Sequence, residues 1–235
     1  LGNHEFDNGM DELARRLGNL NVPVVCANYS FKGSPLDGLV KPYVILEKAG
    51  KKIGIIGLLT DVTSVVDKDI AAQLSYRNPA EAANEYAKIL KVDQRCDLVI
   101  CLTHLGFDGE PYVDTELAAQ TRNVDVIVGG HSHTLLKDLH NVYNLDGEPV
   151  TIVTDWKWGL NIGNLKVNFT PQRLYGKYLD LLPEKVFSYD GSWFPYPAYS
   201  DREGWAEILG SNADYLISVG EKYLNYKWRI VPATS

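Results

Sequence analysis

Apolar residues follow two different patterns in the first 169 residues, and the patterns alternate along the chain. Continuous apolar runs predict strands buried on both faces, whereas apolar residues three or four positions apart predict helices with one buried side. The runs are residues 23–27, 97–101 and 124–128, and the helical segments are residues 10–17, 79–91 and 115–120. Strands that alternate with helices favour a layered α/β fold, in which helices cover a sheet.

Further strands are predicted on either side of this alternating region. Residues 43–47 and 52–57 flank a short turn and predict an antiparallel hairpin. The pattern becomes purely β later in the chain, where strands are predicted at 150–154 and 161–169. Trp156 and Trp158 lie between those two strands, and we expect both side chains to pack rather than to contact a substrate.

The chain changes character near residue 170. The last 66 residues carry more than half of the Phe, Trp and Tyr residues in little more than a quarter of the length. Residues 187–199 are rich in aromatics and Pro, which predicts a loop, and helices are predicted at 201–210 and 212–226. We therefore divide the chain into 1–169 and an α-rich aromatic segment, 170–235. Two interpretations of that segment stay open: an accessory subdomain, or a piece of an unrelated protein.

Composition excludes some classes of function. A formal net charge of −7 argues against a partner that is a nucleic-acid polymer. We find no apolar run of transmembrane length, so no membrane span is predicted. The three cysteines, Cys26, Cys96 and Cys101, are odd in number, and two of them lie in apolar runs. They are predicted to be buried thiols rather than a disulfide framework.

The most informative polar cluster is Gly-Asn-His-Glu-Phe-Asp at residues 2–7. The Asn3 amide oxygen can bind a hard or borderline metal ion. The His4 imidazole can donate a proton or a hydrogen bond to an anion, and Asp7 can fix its tautomer and raise its basicity. This segment predicts part of a metal-dependent catalytic site.

The remaining histidines of interest follow predicted buried strands. His104 ends the run that starts at residue 97, and His131 and His133 follow the run at 124–128. Because ligands of open α/β sheets bind at the carboxyl ends of strands, we expect these imidazoles to converge with Asn3 and His4. Nitrogen and oxygen ligands without thiolates suit Zn, Mn, Fe, Mg or Ca rather than a structural zinc site.

Three motifs in this order resemble the last three metal-binding blocks of the calcineurin-like metallophosphatases, and specifically the branch of 5'-nucleotidases and 2',3'-cyclic phosphodiesterases. They are the segment at 2–7, Thr-His-Leu-Gly at 103–106 and Gly-His-Ser-His-Thr at 130–134. The resemblance spans about residues 1–169. It implies a layered β-sandwich flanked by helices and two divalent metal ions that clamp a phosphate and the attacking hydroxide.

The same resemblance implies a role for each candidate residue. Asn3, His104 and His131 would bind one metal ion, and His133 would bind the other. His4 would stabilise the phosphate oxygens of the transition state or protonate the leaving group, and Asp7 would orient it.

Two blocks of the family have no counterpart in this sequence: an Asp-x-His block and a Gly-Asp block, which supply most ligands of the first metal and the bridging carboxylate. We therefore expect an incomplete, amino-terminally truncated catalytic domain. Without a bridging anion, two neighbouring cations repel each other. The expectation is at most one weakly bound metal ion and little or no hydrolysis by this fragment.

The predicted reaction is hydrolysis of nucleotide phosphomonoesters or cyclic phosphodiesters. The alternatives are an inactive interaction or carbohydrate-associated module with a vestigial metal site, and a related two-metal hydrolase of sulfur esters. The resemblance also implies a periplasmic or cell-envelope location. A base-binding domain would be separate, since residues 170–235 do not resemble one.

Overall fold

The computed structural model describes residues 1–63, 66–109, 111–169 and 185–190. The strands in these ranges are β1 Val24–Val25, β2 Tyr29–Ser30, β3 Val40–Lys41, β4 Tyr43–Lys48, β5 Lys51–Leu59, β6 Ser75–Tyr76, β7 Leu98–His104, β8 Val126–Val128, β9 His140–Tyr143, β10 Pro149–Val153, β11 Asn164–Phe169 and β12 Lys185–Asp190. The helices are α1 Met10–Leu17, α2 Lys68–Ala71, α3 Pro79–Lys88 and α4 Asp114–Ala119. A 3₁₀ turn at Asn3–Phe6 and a π-helical turn at Ile89–Asp93 complete the helical elements.

The central sheet has six strands in the order β4-β5-β7-β8-β10-β9. Its four inner strands are parallel to one another, and each edge strand is antiparallel to its neighbour. Parallel strands end at the same edge of a sheet. The carboxyl ends of β5, β7, β8 and β10 therefore form one edge, from which the loops that carry His104 and His131 emerge.

The two faces of this sheet pack against different layers. Along β7, Val99 and Cys101 belong to the core that the sheet shares with α3 and α4, which also includes Leu90. Leu98 and Ile100 point to the opposite face, where they pack with β11. Because side chains alternate across a strand, a continuous apolar run supplies both cores. The mixed, layered α/β fold predicted from the sequence is confirmed.

A third apolar cluster fixes the first residues of the chain. Phe6 is buried, and it packs with Met10 and Leu13 of α1 and with Leu59 at the end of β5. This contact places the turn at Asn3–Phe6 next to the carboxyl edge of the sheet, which is the edge predicted to hold the site.

Several element boundaries differ from the sequence predictions. The helix at 10–17 is confirmed, but the helix predicted to reach residue 91 changes to π-helical geometry after Lys88. The strand predicted at 23–27 is limited to Val24–Val25, and β11 begins at Asn164 rather than at residue 161. The three cysteines are buried free thiols, as predicted.

The loop predicted at 187–199 is wrong for its first residues, because 187–190 belong to β12. β12 pairs antiparallel with β11, from Asn164 opposite Asp190 to Phe169 opposite Lys185. Residues from both sides of the predicted boundary at 169/170 therefore share a two-stranded sheet. The helices predicted at 201–210 and 212–226 lie outside the described residues, and the division into two domains stays a prediction.

Trp156 and Trp158 do not pack as expected. They are 41% and 69% exposed, respectively. Both residues adopt left-handed backbone conformations in the loop after β10. The Lys157 ammonium lies 4.1 Å from the centroid of the Trp158 ring, a cation–π contact at the surface. In the described part of the chain, no helix has the length and apolar character needed to cross a membrane.

Asn28 links the first strands to the end of β5. Its side-chain amide donates to the Leu59 carbonyl oxygen at 2.7 Å and accepts from the Leu59 amide at 2.9 Å, in a fully buried position. Replacing Asn28 by Ala removes both partners of Leu59. We expect the free energy of unfolding to fall by about 2–4 kcal/mol in urea titrations, since each buried group left unpaired costs about 1–3 kcal/mol.

Asn84 provides the matched control for Asn28. Its side-chain amide also makes one donor and one acceptor bond to backbone groups, with Gln120 and Arg122, but at the surface. Water can replace those bonds, so Asn84→Ala should cost about 1 kcal/mol or less. Equal losses in the two variants would contradict the role assigned to Asn28.

Candidate metal centre

His104 is the centre of the candidate site. It ends β7, is only 7% exposed, and its ring lies between two glycines. A Cβ atom added to Gly2 would lie 3.1 Å from His104 Cε1, and one added to Gly130 would lie 3.3 Å from His104 Nδ1. These glycines therefore allow two backbone segments to approach the imidazole from different sides. The glycines of the motifs at 2–7 and 130–134 have a steric reason.

Asn3 reaches His104 from the amino-terminal turn. Asn3 Oδ1 lies 2.8 Å from His104 Nε2, across 101 positions of sequence. The turn is held from below by the buried Phe6, and at its start the Gly2 amide donates to Glu5 Oε2 at 2.6 Å. The amide oxygen and the imidazole nitrogen predicted to share a metal ion are therefore in direct contact.

His131 approaches His104 from the loop after β8. The two ring centroids are 4.9 Å apart, with an angle of 62° between the ring planes. His131 and His133 have backbone φ angles of 76° and 56°, a left-handed conformation that is uncommon for residues other than glycine. Such strain persists only where surrounding contacts hold the backbone, and it is concentrated at functional sites.

Hydrogen bonds connect this loop to the loop after β7. The Phe107 amide donates to Ser132 Oγ at 2.9 Å, and Ser132 Oγ lies 2.8 Å from Thr134 Oγ1. Thr134 Oγ1 also donates to Asp108 Oδ1 at 2.9 Å. Ser132 lies between His131 and His133, so this chain of bonds holds both histidines relative to the loop that follows His104.

The environment of His104 keeps its imidazole neutral. Burial lowers the pKa of His104 to about 3, and repulsion from His131, the chain's amino group, His4 and His133 acts in the same direction. A neutral imidazole has a free lone pair, which metal binding requires. The listed repulsions also indicate that His4, His131 and His133 all face His104 closely enough to interact with it electrostatically.

His4 and Asp7 form a separate pair beside this centre. His4 Nδ1 lies 3.0 Å from Asp7 Oδ2, as the sequence predicts, and the two side chains are 75% and 60% exposed. An exposed pair of this kind adds little to stability. Its consequence is orientation, because a carboxylate bound to Nδ1 leaves Nε2 free for another partner.

The donor set fits a divalent cation. Two ligand atoms bound at about 2.1 Å and at right angles on one cation are about 3 Å apart, close to the 2.8 Å between Asn3 Oδ1 and His104 Nε2. The amide oxygen and the two imidazoles are suitable ligands for Zn or Mn. Within the described ranges no cluster of three or more His, Cys, Asp or Glu side chains could hold a metal ion, so an amide must complete this set.

The profile of the calcineurin-like phosphoesterases matches residues 1–135, which include all of these residues. The chain belongs to that family. Its sequence is 35% identical over 184 residues to the probable 5'-nucleotidase of Treponema pallidum, covering 72% of this chain and 30% of that protein. The calcineurin-like phosphoesterase therefore spans about a third of the length of the curated relatives that it matches.

Solved structures agree with the family assignment. The 5'-nucleotidase precursor of Thermus thermophilus superposes with a TM-score of 0.70 at 28% identity, covering 96% of this chain and 43% of that one. The NAD nucleotidase of Haemophilus influenzae gives a TM-score of 0.65 at 26% identity, covering 94% of this chain and 49% of that one. The predicted resemblance is confirmed, and this calcineurin-like phosphoesterase is a hydrolase by descent.

The roles predicted for Asn3, His104, His131, His133, His4 and Asp7 stay predictions. The structure brings the first three together and pairs the last two. His133 lies in the same loop as His131, where its side chain is exposed. Sequence reasoning missed Asp114 and Asp155, two buried carboxyl groups near this edge. Asp155 follows β10 and bridges to Leu135, and Asp114 begins α4.

Both buried carboxyl groups should give the stability a measurable pH dependence. Burial raises the pKa of Asp114 to about 7 and that of Asp155 to about 6. The unfolded-state pKa is about 4, so the folded chain binds these protons more tightly. Their contribution to stability is therefore complete below pH 4 and is lost as the pH rises through 6 and 7.

Urea unfolding with a chelator, in half-unit pH steps, measures this effect. The stability of the unaltered protein relative to Asp114→Asn should decrease from pH 4 to pH 7, because the amide does not titrate. A difference that is constant across this range would contradict the assignment.

Proposed function

We propose that this chain is the catalytic part of a metal-dependent phosphoesterase that hydrolyses nucleotide phosphomonoesters or cyclic phosphodiesters. One observation supports the proposal above all: Asn3, His104 and His131 converge from three distant segments at the carboxyl edge of one sheet. The relatives named 5'-nucleotidase and NAD nucleotidase support the choice of nucleotides as substrates. The same relatives favour this proposal over an inactive interaction module or a sulfur-ester hydrolase.

The residues divide the chemical work. Asn3, His104 and His131 would hold a divalent cation, with His133 available to a second one. A bound cation would neutralise charge on the phosphate and lower the pKa of water. His4 would donate a hydrogen bond or a proton to the phosphoester oxygens, and Asp7 would hold the His4 ring in the required tautomer and orientation.

We further propose that this chain holds at most one cation, and weakly. The three convergent ligands are an amide and two imidazoles, and the pKa of about 3 keeps His104 neutral. None of them is anionic, so the charge of a divalent ion is compensated less than it would be by a carboxylate. Slow hydrolysis follows, because the same charge must support the attacking water.

The test combines a metal titration with an activity assay. Isothermal titration of the chelator-treated chain with ZnCl₂ or MnCl₂ should give one site per chain. Hydrolysis of adenosine monophosphate and of 2',3'-cyclic adenosine monophosphate is then measured with and without the metal. Metal-dependent turnover supports the enzyme; a single metal site with no turnover on either substrate favours the inactive module. The absence of any metal site would contradict both.

Two further features belong to the same proposal. The partner would be a small nucleotide or phosphoester, and a base-binding domain would be a separate unit. A periplasmic or cell-envelope location is supported by the name of the Thermus relative, which is a precursor. Fractionation of cells that express the native gene tests the location, and recovery in the cytoplasmic fraction would contradict it.

A further inference from the structure

A buried carboxyl group lies directly behind the two histidine-bearing loops. Asp114 is fully buried at the start of α4, and its backbone amide donates to the Gly106 carbonyl oxygen at 2.8 Å. Both carboxyl oxygens are without a hydrogen-bond partner among the described residues. A buried polar group without a partner destabilises a fold. Its retention calls for a reason other than stability.

The contacts of Asp114 indicate that reason. A Cβ atom on Gly129 would lie 2.3 Å from Asp114 Oδ2 and 3.7 Å from Thr103 Oγ1. The Thr103 hydroxyl faces this space and donates to the Val128 carbonyl oxygen at 3.4 Å. Asp114 therefore fills the position that a side chain at Gly129 would otherwise occupy, between the ends of β7 and β8.

The next residue on each strand end carries the site. His104 follows Thr103, and Gly130 follows Gly129; a Cβ on Gly130 would lie 3.3 Å from His104 Nδ1. His131 comes next, with its ring 4.9 Å from that of His104. A displacement of Gly129 would be passed to His131 through one intervening residue. The carboxyl group is thus in contact with the backbone that sets the separation of the two imidazoles.

We propose that Asp114 is a positioning residue, which holds the Gly129-Gly130 turn against Thr103-His104 by filling the space behind it. This inference rests on the proposed metal site for its function, but the positioning itself is a property of the metal-free protein. Asp114 does not contact the cation or the substrate in this account. The carboxyl volume, rather than a hydrogen bond, provides the contact.

The pair Asp114 and Gly129 allows a direct double-mutant test. Asp114→Ala removes the filling group, and Gly129→Ala inserts a Cβ into the space that Oδ2 occupies. The φ angle of Gly129 is outside the left-handed range, so alanine is not strained there by its backbone. In the double variant the new methyl group enters the vacated space. Asp114→Asn keeps the volume and serves as the conservative variant.

Two measurements follow the variants. Zinc affinity should fall about 10- to 100-fold in Asp114→Ala and in Gly129→Ala, the range found for residues that support metal ligands. It should recover to within about threefold of the original in the double variant and in Asp114→Asn. Hydrogen exchange of the metal-free protein should show faster exchange at residues 129–134 in each single alanine variant and recovery in the double variant.

Thr121→Ala is the control for general destabilisation. Thr121 is fully buried just after α4, at the end opposite to Asp114, and its hydroxyl donates to the Ala118 carbonyl oxygen. We expect it to lower stability without changing zinc affinity or exchange at 129–134. Equal behaviour of Thr121→Ala and Asp114→Ala, or additive losses in the double variant, would overturn the inference. If the unaltered protein binds no zinc, the proposed function fails, and hydrogen exchange still decides the positioning role.

Discussion

Replacement of His104 by Ala should lower the affinity of the chain for zinc or manganese by about 100-fold or more, since it removes a ligand rather than a supporting contact. His104 is the residue that Asn3 contacts directly, and its ring lies closest to that of His131. Its lowered pKa leaves the lone pair available throughout the neutral range. Isothermal titration of the chelator-treated protein measures the effect.

His140 provides the control for this substitution, because it is the one histidine outside the motifs. It lies on edge strand β9, is exposed, and makes only an edge contact with the Phe107 ring among the contacts assigned to it. His140→Ala should leave metal affinity within about twofold of the original. Circular dichroism must show that both variants are folded. A His104→Ala variant that is folded and binds metal with unchanged affinity would remove His104 from the site.

Replacement of His4 by Ala should reduce the rate of phosphoester hydrolysis by about 100-fold or more, the scale expected for loss of a general acid or base. The His4 side chain is exposed and its Nδ1 is already bound to Asp7. It is therefore not expected to be a ligand, and metal affinity should change less than threefold. Turnover of p-nitrophenyl phosphate and of adenosine monophosphate at saturating metal measures the effect.

Asp7→Asn distinguishes orientation from proton transfer. It keeps the size of the side chain but can donate to the His4 ring instead of accepting from it, so an intermediate loss of about tenfold is expected. Gln73→Ala, a change at an exposed site near α2, is a suitable surface control. If His4→Ala weakens metal binding as strongly as His104→Ala does, His4 is a ligand and its assignment as an acid is wrong.

The carboxyl edge of the sheet could be predicted because one residue pattern carries two kinds of information. The runs before His104 and His131 are buried strands, and a polar residue that follows such a run marks the end of the strand. Parallel strand ends share an edge, so the convergence of these residues follows from topology alone. The contact between Asn3 and His104 needed one more feature, the buried Phe6, which the motif itself contains.

Other parts of the site could not be predicted for physical reasons. Asp114 sits in the first turn of a helix, where an acidic residue normally interacts with the exposed helix terminus. Only the tertiary structure shows that it is buried behind Gly129. The exposure of Trp156 and Trp158 depends on left-handed backbone conformations that no spacing pattern reveals. The strand at 185–190 was missed because its pairing partner, β11, is distant in sequence and its composition favours a loop.

The most direct test of the metal centre is anomalous X-ray scattering from crystals of the full chain grown with zinc. The expected result is one anomalous peak about 2.0–2.2 Å from both Asn3 Oδ1 and His104 Nε2, with His131 as a further ligand. A chain that crystallises in saturating zinc with no peak at these atoms, or with its zinc bound only elsewhere, would contradict the assignment of this edge as a metal centre.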